Sequence, residues 1–106
     1  MPQFLVPFSV ARGYTEVTDE DSGIVFRFLD DLAVPTRLHI EAAHGVTPEQ
    51  AVESFNAGVE RTTWLEHKRC FETISADYVV VWLWLDEACT RVLVITCVPR
   101  ADSDYA

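Results

Sequence analysis

The run Tyr78-Val79-Val80-Val81-Trp82-Leu83-Trp84-Leu85 constrains the fold of this chain more than any other segment. It carries no charge, and β-branched and aromatic residues fill it. That composition suits a strand buried within a sheet. It is too short to span a bilayer as a helix, which takes about 18 apolar residues or more. Asp86-Glu87-Ala88-Cys89-Thr90 reads as a connecting turn, and Arg91 to Val98 as the antiparallel partner, ended by Pro99.

A second segment specifies a helix. In Val46-Thr47-Pro48-Glu49-Gln50-Ala51, Thr47 fits the N-cap and Pro48 the first helical position. Glu49 places a carboxylate at the positive end of the helix dipole, and Gln50 completes a capping box with Thr47. Ala51, Val52 and Phe55 share a face, and Asn56-Ala57-Gly58 supplies the stop, so the helix is expected over 47–57.

The remaining segments read mostly as strands. Phe4 to Val10 contains Pro7 and fits an edge strand. Tyr14–Val17 and Ile24–Leu29 form a hairpin around Thr18-Asp19-Glu20-Asp21-Ser22-Gly23, whose short polar side chains bond their own backbone. Together these give an N-terminal hairpin unit over 4–29. Leu38, Ile40 and Ala42 alternate with Arg37, His39 and Glu41, which favours a half-buried strand over Thr36–Ala42 rather than a short helix. Val59–Glu66 and Lys68–Ser75 read as one or two strands, with a turn or bulge near His67-Lys68 and a helix over Thr63–Glu72 as the rival. Residues 101–106 form a polar tail expected to fray. Strands, then one helix, then strands imply one α+β domain: an antiparallel sheet with the helix packed on one face.

With 106 residues, one domain is the default, and 49% hydrophobic residues suffice for its core. The N-terminus lacks the basic segment of a signal peptide, so a cytoplasmic location is expected. Cys70, Cys89 and Cys97 match no zinc spacing and read as reduced thiols, Cys89 in an exposed turn. No cofactor or metal is expected.

Charge bears most on partners. The 17 acids outnumber the 8 bases, for a net charge of −9. Nucleic-acid binders normally present a basic face, because phosphate contacts supply much of their affinity. The acids group at Glu16, Asp19, Glu20 and Asp21, at Asp30-Asp31 and at Asp86-Glu87. Such a rim attracts cationic partners. Trp82 and Trp84 fall on one face of their strand, either as core or, if exposed, as a partner platform. The leading expectation is therefore a small non-catalytic interaction protein that binds a basic protein partner, or inhibits a nucleic-acid-binding one. A homodimer through the edge near Phe4–Val10 is a further option.

The rival reading is enzymatic. His39 and His44 flank the break before the helix, and Arg61, Lys68, Arg69 and Arg100 supply cations. Metal-independent RNA cleavage needs such a set: a base for the 2′-hydroxyl, cations for the phosphate and an acid for the leaving oxygen. The segment His39-Ile40, His44-Gly45-Val46-Thr47-Pro48-Glu49-Gln50-Ala51 resembles the helix start of BrnT-like toxins, and Val92 to Arg100 resembles their closing strand. The resemblance runs over about residues 38–100 and implies a RelE-type α+β fold and metal-independent ribonuclease activity. His44 and Arg100 are the positions it matches. Those toxins tend to be basic, and this chain departs from them in its charge of −9 and in its first 30 or so residues.

Overall fold

The computed structural model describes residues 13–102. The proposed edge strand Phe4–Val10 and the end of the tail lie outside them. Among the described residues, six strands form one sheet. They are β1 (Tyr14–Thr18), β2 (Val25–Leu29), β3 (Thr62–Leu65), β4 (Cys70–Ile74), β5 (Tyr78–Trp84) and β6 (Arg91–Pro99). Two helices, α1 (His39–His44) and α2 (Pro48–Ala57), fall between β2 and β3.

The sheet order is β1-β2-β6-β5-β4-β3. The expected hairpin is present, with Tyr14 opposite Leu29 and Thr18 opposite Val25. β3 to β6 form an antiparallel meander. The β2–β6 pair is parallel, with Phe26 opposite Val92 and Phe28 opposite Val94. This corrects the expectation of a wholly antiparallel sheet. The helical segment carries the chain across the sheet from β2 to the far edge, and the meander then returns to β2 running the same way. Parallel neighbours require a crossover of this kind.

The apolar face of α2 and the inner face of the sheet close one core around Phe26, Phe28, Ile40, Phe55, Val80 and Trp82. Phe55 meets Phe26 and Trp82 edge-on at 5.0 and 4.9 Å between centroids. Trp82 stacks on Phe71 at 4.6 Å, and its Nε1 donates a 2.9 Å hydrogen bond to Thr73 Oγ1. Trp82 is 4% exposed and Trp84 packs partly buried beside it, so the paired tryptophans are core and present no platform to a partner.

The helix start forms as its sequence dictates. Gln50 N–H donates to Thr47 Oγ1 and Thr47 N–H to Gln50 Oε1, with Pro48 in the first turn. Thr36–Ala42 is not a strand. Leu38 makes a single bridge to Asp30, and the chain then turns into α1. Gly45, at φ +67°, ends α1, and its N–H and that of Val46 close onto Glu41 and Ile40 carbonyls. At six residues, α1 buries Ile40 alone, too little for a helical period to show against the alternation of Leu38, Ile40 and Ala42. The rival helix over Thr63–Glu72 is absent, since β3 and β4 pair there around a turn with Arg69 at φ +55°. Ala101 and Asp102, expected to open the frayed tail, belong to a single 3-10 turn over Arg100–Asp102.

β5 and β6 contain the one irregularity that bears on chemistry. Val81 faces Thr96 while Trp82 faces Val94, so Ile95 is an extra residue in β6. Such a bulge re-aims the side chains beside it.

Candidate functional site

Three depressions hold half of the site residues singled out from sequence. The first, of about 710 Å³, lies between the β1–β2 turn and α2. Asp19, Glu20 and Asp21 line it from the turn, Glu49 and Glu53 from the helix, and Val17, Val52 and Ala57 supply apolar surface. Asp19 organises the turn. It accepts from Ser22 Oγ at 2.7 Å and from Asn56 Nδ2 at 2.9 Å, so it ties the turn to α2, and these bonds hold its carboxyl below the usual range. Glu20, Asp21 and Glu53 are exposed around it.

The second depression, of about 670 Å³, lies beside α1 and the bulge. His39 and His44 meet edge-on with ring centroids 5.4 Å apart. His39 Nδ1 is 3.0 Å from Asp31 Oδ1, and His39 Nε2 is 3.4 Å from Thr96 Oγ1. The other carboxylate oxygen of Asp31 accepts from Ala33 N–H at 3.0 Å and Val34 N–H at 2.9 Å. The hydrogen bond to His39, aided by these two, holds the Asp31 carboxyl below its usual range. Partial burial, reinforced by the neighbouring His39, pushes the His44 imidazole down, and Asp102 opposes the shift.

The third, of about 550 Å³, brings Arg61 and Arg100 together with Glu60 and Ser75. Arg100 Nη1 donates to the Ser75 carbonyl at 3.3 Å. Arg61 and Arg100 thus share one hollow while His39 and His44 share another. Lys68 and Arg69 sit in the exposed β3–β4 turn, where Arg69 pairs with Glu66 at 3.1 Å.

The acidic groups of the expected rim separate in the same way. Glu16 stands on the sheet beyond the groove and binds Arg27 and Arg91, each at 2.9 Å. Asp86 caps its own turn, accepting from Thr90 N–H and Oγ1 and from Arg91 N–H, with Glu87 exposed next to it. Asp30 lies at the bridge to Leu38, and Asp31 belongs to the histidine cluster.

Glu49, Glu53 and Thr96 were not expected from sequence to be site residues, Glu49 having been read only as part of the helix start. Glu49 and Glu53 lie four apart on a helix already expected, so a common face was readable. Nothing local marks Thr96, which only the β2–α1 connection brings next to His39. Among the described residues, no helix is long and apolar enough to cross a membrane, and no cluster of His, Cys, Asp or Glu is arranged for a metal ion. No protein-family model, no curated protein and no solved structure matches this chain.

Proposed function

We propose that this protein is an interaction module whose acidic groove docks a cationic, amphipathic segment of a protein partner. One observation carries the reading: the carboxylates of Asp19, Glu20, Asp21, Glu49 and Glu53 converge from two elements on one open groove with an apolar floor. Lys and Arg heads would meet the carboxylate rim, and apolar residues of the same segment would cover Val17, Val52 and Ala57. The net charge of −9 steers such a partner and disfavours polyanions.

The test is titration of a fluorescent Lys/Leu amphipathic peptide into the protein at several salt concentrations. Affinity should fall steadily with salt and drop on the order of tenfold or more in Glu20→Lys/Glu53→Lys, since like charge at an interface costs kilocalories. Equal binding of the peptide by that variant would sink the reading.

A second reading, the metal-independent ribonuclease implied by the BrnT-like segment, draws support from the joining of His39 and His44 in one depression. The placement of Arg61, Arg100, Lys68 and Arg69 away from that depression favours the first reading. RNA cleavage in EDTA that disappears in His44→Ala would reverse the order.

A further inference from the structure

We propose that Asp31, His39 and Thr96 form an acyl-transfer site in which Thr96 is the nucleophile, acting on small activated carboxylic esters. The argument starts from the carboxylate. Both oxygens of Asp31 are engaged, one by the Ala33 and Val34 amides and the other by His39 Nδ1, so the residue is held in place and ionised. An ionised partner at Nδ1 places the ring proton there, which leaves Nε2 as the acceptor. That lone pair faces Thr96 Oγ1 at 3.4 Å. The spacing is long for a finished hydrogen bond and ordinary for a nucleophile and base before substrate arrives.

Position favours the same conclusion. Thr96 follows the extra residue Ile95 in the β6 bulge, and both line the depression that His39 and His44 border. Leu32, Ala33, Ile95 and Val98 give its remaining wall, apolar and suited to a short acyl chain. His44 lies beside it, and partial burial together with the neighbouring His39 disfavours a second cation there.

The step balances without a co-reactant other than water. Thr96 Oγ attacks the ester carbonyl carbon and gives its proton to His39 Nε2. The carbon–oxygen bond to the leaving alcohol breaks, and His39 returns the proton to that oxygen. Water, deprotonated in turn by His39, then attacks the acyl-threonine and releases the acid, and Thr96 recovers its proton. Thr96 and His39 are the catalytic residues. Asp31 is a positioning residue.

The experiment uses the full chain and p-nitrophenyl butyrate, with intact-mass and peptide analysis of quenched samples. Wild type should release nitrophenol and carry a butyryl group on Thr96. Thr96→Val should lose both adduct and turnover, the latter by on the order of 100-fold, while Thr96→Ser keeps them. Asp31→Asn should lower kcat with KM unchanged. Matching melting temperatures identify variants that remain folded, and the serine variant tests the site even if valine disturbs the strand. Turnover in folded Thr96→Val equal to wild type, or acylation confined to other residues, overturns the proposal. Failure of the folded wild type to release nitrophenol also overturns it, and RNA cleavage in EDTA beside that failure favours the ribonuclease. The peptide titration reads a different surface, so either proposal can fail alone.

Discussion

At the scale of single residues, burial decides which reactive groups are available. Cys97 is fully buried, and loss of hydration pushes its thiol up to about 12 from 9.0. Cys70 is buried as well, whereas Cys89 is exposed in the β5–β6 turn at φ +59°. A disulfide-exchange reagent should therefore titrate Cys89 rapidly in the native protein and all 3 cysteines only in denaturant. Rapid labelling of Cys97 in buffer would contradict the core described above. Trp82 is the residue on which that core turns. It stacks on Phe71, meets Phe55 and Trp84 edge-on, and donates to a Thr73 hydroxyl that also bonds Thr62 at 2.7 Å. Trp82→Phe removes the donor and leaves a void. The urea midpoint should fall by an amount equivalent to about 1–3 kcal/mol, with little change in slope.

At the scale of elements, α2 shows how far local chemistry can specify structure. Its reciprocal Thr47–Gln50 bonds satisfy backbone groups that no helix satisfies internally. Thr47→Ala should cost about 1 kcal/mol, measured as a lowered thermal midpoint. Serine at that position should restore most of it, since its hydroxyl occupies the same place. Elements whose signals are local in this sense were legible in sequence: α2 from its cap, β5 from its uncharged β-branched run, and the β1–β2 turn from Asp19 and Gly23. α1 was not, because six residues span less than two turns and bury a single side chain. The bulge at Ile95 was not either, since it exists only in the register between β5 and β6. The candidate sites divide along the same line. His39, His44 and the acids of 19–21 stand out as residue types, whereas Thr96 acquires meaning only from the loop and helix that deliver His39 to β6.

For the whole molecule, the separate titrations combine into one stability profile. His44 has a lowered pKa in the fold, so as pH falls below 6.5 the unfolded chain takes up that proton first and stability declines. Asp19, Asp31 and Asp86 lie below 3.8 and Glu16 below 4.5. Their contribution is present above those values and is lost as pH falls through the folded ones, which adds a second, steeper decline. Cys97 acts with the opposite sign. Its raised value means that its contribution is intact below 9.0 and disappears as pH rises towards about 12. Chemical denaturation across pH should accordingly give a plateau between about 6.5 and 9, falling on both sides. His44→Gln should flatten the decline just below 6.5 and leave the steeper acid limb in place, because the carboxylates are untouched. Cys97→Ser should remove the alkaline limb at some expense in absolute stability, since the serine hydroxyl enters an apolar site. A His44→Gln profile superimposable on wild type between pH 5 and 7 would show that this imidazole is as well hydrated in the fold as in the unfolded chain.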